Sequence, residues 1–232
     1  MVSTLKRILA GNKFISKPNN MKKLLLSYTI TTLLLTSLLS CSNNIVQLTK
    51  EHLTPVNREI VAIDKATNTV ILNNKVGDGM AIIKNIPFDA GTIELDLKGE
   101  NIQQKSFLGI AFNIQNDSTY EAIYFRPFNF QAEEKLRREH SIQYIYHPNY
   151  NWSFLRTNFE GKYEAAFPRR PSPDEWFKVL LKITASNVYV YDSESNTEIL
   201  SVERLTKQKS DTIAFWAGND SKGQYRNLKI KK

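Results

Sequence analysis

From Glu59 onward the chain breaks into short runs in which apolar and polar positions alternate, separated by Asn, Asp, Gly and Pro. Such a period of two is the signature of strands with one face in a core. "EIVAID" and "TVILNN" flank "KATN", a hairpin pattern, and "GMAIIKNI" follows. In "GTIELDLKG", Ile93, Leu95 and Leu97 share one side, and Thr92, Glu94, Asp96 and Lys98 the other. "SFLGIAFNIQ" and "TYEAIYFRPF" are joined by "NDS", a second hairpin signal. In the latter run Ile123 and Phe125 fall on the core side, with Tyr120, Tyr124 and Arg126 opposite, until Pro127 ends the ladder.

"QAEEKLRREH" is the one helix-like piece, and "SIQYIYHP" returns to strand. "NYNWSFLRTNFEGKYEAAFPRRPSPDE" reads as a long aromatic loop, of a length that is uncommon unless functional. "WFKVLLKIT", "NVYVYDSES", "TEILSVERL", "DTIAFWAGN" and "QYRNLKIKK" close the chain as strands. Many short strands with almost no helix predict an all-β sandwich or barrel, each sheet having one face in the core and one exposed.

Composition agrees, being rich in aromatic and β-branched residues. The net charge of +8 is uneven. Residues 1–41 carry six basic side chains and no acidic ones, so the remaining 25 basic and 23 acidic residues leave only +2 for the rest. A body so close to neutral gives no case for nucleic acid.

The basic N-terminal part has its own pattern. From Met21, which reads as the natural start, "MKKLLLSYTITTLLLTSLLSCSNN" sets two lysines before an apolar stretch, Leu24 to Leu39, and then Cys41. This is the order of an export signal, and the stretch is short for a membrane span. "LLSC" resembles the lipobox of bacterial lipoproteins. That resemblance implies a leader over residues 1–41, lipidation (palmitate included) of Cys41, and attachment to a membrane, with the periplasmic face of an outer membrane as the expected location. Cys41 is the single cysteine, which excludes an intramolecular disulfide and a cysteine metal cluster. Residues 42–56 read as a polar tether, and 57–232 as the domain.

Taken in order, "GTIELDLKG", "SFLGIAF…YEAIYFRPFNF", "RREHSIQYIYHPNYNW…GKYE", "EWFKVLLKI…VYVYDSE" and "IAFWAGN…QYRNLKI" resemble secreted bacterial domains of the concanavalin A-like lectin/glucanase superfamily, near the laminin-G-like and 3-keto-disaccharide hydrolase domains. The resemblance spans roughly residues 60–231. It implies a jelly-roll β-sandwich of two curved antiparallel sheets whose concave face binds saccharide.

Glycoside cleavage ordinarily needs two carboxyl groups. Glu94 and Asp96 share a strand face, about 7 Å apart. The superfamily's glucanase pattern asks for a third acid where this chain has Lys98 or Gly99. An ordinary solvent face is therefore the expectation for them, and an edge charge for Glu121. His140 and His147 flank one strand, a spacing that makes no convincing metal pair, and His52 falls in the tether. Neither a phosphate loop, a dinucleotide fingerprint nor a Ser-His-Asp arrangement is found, so no metal or cofactor is expected.

What remains suits sugar recognition: aromatic faces for C–H surfaces and planar polar groups for hydroxyls. The carbohydrate-binding candidates are Tyr124, Arg126, Asn129, Gln143, Tyr146, His147, Trp152 and Arg156, with Tyr150 beside them. Trp176 and Phe177 read as core, and Trp216 is left open. Arg126 stands out because a guanidinium among aromatics needs a carboxylate, a carbonyl cluster or a ligand. The sequence thus points to a membrane-anchored, lectin-like lipoprotein with a saccharide ligand. The alternatives are a glycoside-processing enzyme of 3-keto-disaccharide hydrolase type or a protein-interaction lipoprotein.

Overall fold

The computed structural model describes residues 45–232. The leader, Cys41 and the start of the tether lie outside these residues. The described part is a sandwich of two seven-stranded sheets. The front sheet runs, edge to edge, β1 (Leu53–Val56), β4 (Gly79–Ile83), β13 (Ile213–Ala217), β6 (Leu108–Asn116), β7 (Thr119–Phe125), β8 (Ile142–His147) and β9 (Glu164–Ala165). The back sheet runs β12 (Thr197–Glu203), β11 (Asn187–Asp192), β10 (Phe177–Ile183), β5 (Gly91–Lys98), β14 (Gly223–Lys231), β3 (Thr69–Leu72) and β2 (Ile60–Asp64). The strand pairings in both sheets are antiparallel.

The back sheet follows the alternation of its sequence. In β10, Phe177, Val179, Leu181 and Ile183 are buried while Lys178, Leu180 and Lys182 are at least partly exposed. Between the sheets Phe125 meets Phe177 edge-on at 5.3 Å, and Phe215 stacks on Tyr225 at 4.5 Å. Each such fully buried ring contributes about 1.5–3 kcal/mol from removed apolar surface. These contacts fix which side of β7 and β13 faces the core.

The front sheet departs from the expectation of one exposed face. β6 is buried from Leu108 to Ile114 and β7 from Tyr120 to Phe125, odd and even positions alike. Other parts of the chain cover its outer face. One is a 3₁₀ turn, Pro127–Asn129; another lies inside the stretch read as a loop. There Asn151 accepts a hydrogen bond from the Phe154 N–H at 2.9 Å and caps a helix, Trp152–Asn158. That helix is α2. The expected helical piece forms α1, Lys135–Glu139.

The tether reading fails from Ile45 onward. Ile45 bridges Lys229, the Val46 N–H donates to the Leu228 carbonyl at 2.7 Å, and Leu48 is buried with its N–H on Asn68 Oδ1. Leu53–Val56 then pairs with β4 as the sheet edge. The segment looks polar because its apolar residues are isolated, yet Leu48 and Leu53 fill the core.

Candidate functional site

Antiparallel register places Val56, Met80, Trp216, Gly109, Tyr124, Gln143 and Glu164 in one row across the front sheet. Residues in such a row share a face. Since Phe215 and Phe125 point inward, Trp216 and Tyr124 point out. Gly109, between them, has no side chain, and their rings close over it at 4.9 Å. A Cβ at Gly109 would fall 2.0 Å from the Ile123 carbonyl oxygen, so only glycine fits.

These rings begin an aromatic floor. Trp216 Nε1 donates to the Tyr120 hydroxyl at 3.1 Å, and Tyr120 stacks on His147 at 5.2 Å. The Asp78 carboxylate stands beside them, 3.5 Å from the Tyr120 hydroxyl and 3.8 Å from His147 Nε2. Burial raises the Asp78 carboxyl pKa, against the pull of His147 and Arg58, and lowers the His147 imidazole pKa. Desolvation thus drives both groups toward their neutral forms. Arg58, itself buried, ties this rim together by donating to the carbonyls of Gly77, Ala217 and Gly218 at 2.6–2.9 Å.

The opposite end is cationic. Arg126 leaves β7 at its last turn, held by its own N–H on the Ser141 carbonyl at 2.7 Å. Its guanidinium donates to the His140 carbonyl at 2.8 Å, the Tyr124 hydroxyl at 2.7 Å and Gln143 Oε1 at 3.3 Å, and it lies 4.8 Å from the Tyr124 ring centroid. Arg126 is 5 % exposed. Arg156 on α2 makes a bidentate pair with Glu164 at 2.7–3.2 Å, and His140 Nε2 meets the same carboxylate at 3.3 Å. Burial lowers the His140 pKa, outweighing the nearby Glu164.

Between the two ends lies an open cavity of about 770 Å³. Six of the eight sequence candidates line it: Tyr124, Arg126, Asn129, His147, Trp152 and Arg156. Trp152 stands at the rim, 49 % exposed, with the Arg156 guanidinium 5.2 Å from its ring centroid. Gln143 is on the right face but does not line the cavity. It is buried, donates to the carbonyls of Tyr144 and Tyr163 at 3.1 Å, and positions Arg126. Tyr146 is a miss. Its parity is opposite to that of Gln143 and His147, and its hydroxyl reaches Gln208 at 3.0 Å away from the cavity. Tyr150 packs on Tyr146 and Phe154 and is not part of the lining.

Trp216, left open by the sequence, joins the floor, and Asp78, His140, Phe107 and Arg137 line the cavity unforeseen. Asp78 sits in a "GDG" turn, and nothing local ties it to His147, whose strand is far away in the chain.

The carboxylates weighed for catalysis lie elsewhere. Glu94 and Asp96 are on the outer face of the back sheet, paired with Lys229 at 2.8 Å and Arg226 at 3.0 Å. Asp96 is largely buried, not a free solvent charge, because Arg226 and Asn227 cover it. Trp176 lies half-buried under Arg226, 4.1 Å from its ring centroid, while Phe177 is core as expected. Glu121 is no edge charge. It is fully buried and receives Arg204 through Nε at 3.1–3.2 Å, Asn113 Nδ2 at 2.6 Å and the Tyr144 hydroxyl. Among the described residues no group of three or more His, Cys, Asp and Glu side chains is arranged to hold a metal ion.

No family model and no curated protein matches the chain. Solved structures do. The carbohydrate binding module CBM66 from Bacillus subtilis superposes with a TM-score of 0.56 at 9% identity, over 78% of this chain and 96% of that one. A Bacillus subtilis protein of unknown function with a galectin-like fold gives 0.51 at 13% identity, over 81% and 93%. The carbohydrate recognition domain of Emp46p, in a potassium-bound form, gives the same TM-score, identity and coverage. Identities this low establish the fold alone: an all-β jelly-roll sandwich of two antiparallel sheets.

Proposed function

We propose that the protein is a carbohydrate-binding, lectin-like domain and that the cavity on the outer face of the front sheet is its binding site. The observation that carries this reading is the convergence there of an exposed Trp152, the Tyr124–Trp216 floor, and the planar polar groups of Asn129, Arg126 and Arg156. Aromatic faces take the apolar side of a pyranose ring, and fixed donors take its hydroxyls. Two of the similar solved structures are named as carbohydrate-binding domains, which supports the same reading. The ligand on this reading is a saccharide, and the lipobox-like "LLSC" supports attachment to a membrane through Cys41, on the periplasmic face of an outer membrane.

A glycan array probed with the purified full chain, kept in mild detergent, tests the binding. At least one glycan family is expected to bind, with the signal lost in Trp152→Ala. Absence of binding across bacterial, plant and host glycans at millimolar concentration overturns the reading. Mass spectrometry of the mature protein tests the anchor: a diacyl or triacyl mass at Cys41 is expected, and an unmodified cysteine refutes it.

One observation favours a second reading, a glycoside-processing enzyme. Asp78 faces the cavity with a raised pKa beside His147, the environment of a general acid. It is the only carboxylate among the described lining residues, so the two-carboxylate mechanism lacks its partner. Incubation with 3-keto and ordinary disaccharides, followed by mass spectrometry, decides. Turnover that disappears in Asp78→Asn establishes catalysis, and unchanged sugars exclude it for these substrates.

A further inference from the structure

The charges around the cavity are unbalanced. Three arginines line it (Arg126, Arg137 and Arg156) against the single carboxylate of Asp78. Arg156 is neutralised by Glu164, which also faces His140, so that carboxylate is spent. Arg126 is different. Among the described residues no carboxylate lies within ion-pair distance of it, and its hydrogen bonds go to a carbonyl, a hydroxyl and an amide oxygen, all neutral. Arg137 donates only a long bond, 3.4 Å, to the Phe128 carbonyl.

A guanidinium that is 5 % exposed and lacks a counter-charge is costly, and burial lowers the Arg126 pKa accordingly. The same fold pairs Glu121 with Arg204 completely, and it answers the equally buried Arg58 with backbone carbonyls alone, away from the cavity lining. Arg126, unlike Arg58, lines the cavity, so its open charge is placed where a ligand can complete it. Its planar array also suits a carboxylate better than a neutral hydroxyl. Asn129 shares the His140 carbonyl with Arg126 and adds an amide at the same spot. Asp78, at the far end, repels an anion and accepts from hydroxyls, so the cavity is polarised along its length.

We infer that the ligand is an acidic saccharide whose carboxylate binds at the Arg126–Arg137–Asn129 end, with its neutral hydroxyls toward Asp78 and His147. This inference rests on the carbohydrate-binding reading above and names the substrate class of that site.

The test is titration calorimetry of the full chain in detergent. The probes are uronic acid oligosaccharides (galacturonate, glucuronate and mannuronate) and a sialylated trisaccharide, each against its own methyl ester, at low and at 0.5 M salt. Esterification removes the charge and keeps the ring stereochemistry. At least one acid is expected to bind 10-fold or more tighter than its ester. The difference should shrink in high salt and in Arg137→Gln, a surface change that leaves the core intact. Inorganic phosphate and sulfate are run as competitors. If either displaces the acid at equal concentration, the site is a general anion site and the inference is overturned. Sugars that bind with equal affinity as acid and ester also overturn it, while leaving the lectin reading standing. Failure of every probe, together with an empty glycan array, overturns both.

Discussion

Two buried arginines bracket the strand Thr119–Phe125, and the protein treats them in opposite ways. Near its start, Glu121 points into the sandwich and receives Arg204, Asn113 and Tyr144, so every charge in that cluster is met by another part of the chain. Just past its end, Arg126 is as deeply buried but meets only neutral oxygens, and it opens on a cavity. The closed cluster holds strands, loops and the Thr184 carbonyl together. The open one leaves electrostatic energy to be gained. A buried ion alone therefore marks no site; a buried ion without a counter-ion beside a cavity does.

Substitutions can break or sharpen this contrast. The largest effect is expected at the closed end. Glu121→Ala strands Arg204 and two hydrogen-bond donors and should cost about 3–5 kcal/mol. Chemical denaturation checks that cost, and for a chain of this size it corresponds to a loss in Tm of about 6–20 °C. Next comes Gly109→Ala, whose Cβ would strike the Ile123 carbonyl. A loss of about 1–3 kcal/mol is expected from the forced backbone shift. Trp216 fluorescence should change with it, because the Trp216–Tyr124 contact depends on the empty position.

At the open end the order of effects reverses. Arg126→Met leaves no charge unpaired and should cost only about 1–2 kcal/mol, from the acceptors it abandons. Saccharide affinity should nevertheless fall at least tenfold. Equal damage to stability by Glu121→Ala and Arg126→Met would erase the distinction drawn between the two clusters.

The smallest effect concerns Asp78 and is pH-dependent. Its folded pKa is raised by burial, so the stability it contributes is present below the ordinary carboxylate range and is lost as pH rises through the folded value. Asp78→Asn should then raise Tm at pH 7 by about 1–2 °C, a small gain because the group is partly solvated. That gain should vanish at acidic pH. His147 has the other sign. Its folded pKa is lowered by burial, so its contribution is present above 6.5 and is lost as pH falls through the folded value. Thermal melts from pH 7.5 to 5 should lose part of their acid slope in His147→Gln, with His140 supplying the rest.

Much of this was legible in the chain. The period of two in Phe177–Ile183 and Gly91–Lys98 marked the strands and their inward faces, because side chains alternate across a pleat whatever the neighbours are. The same rule set Tyr124, Arg126 and His147 on the outer side of their strands. It also carried the warning about Tyr146, whose parity differs by one. The helix Trp152–Asn158 was missed because seven residues are too few to show a helical period, although the Asn151 cap was present. Leu48 was missed because one apolar residue in a polar segment has no pattern.

The sequence by itself determined the strands, the face each residue takes and the presence of an unexplained arginine among aromatics. These are local properties of alternation and residue type. Only the tertiary structure decided which outer face is covered and which is open. It also set the register that brings Trp216 and Tyr124 together over Gly109, and Asp78 to His147. That register is fixed by contacts between strands far apart in the chain, which no local period encodes. The partner of Arg126 belongs to the same class of question. The fold answers it by placing Glu164 under Arg156 and His140, and by leaving Arg126 to the cavity.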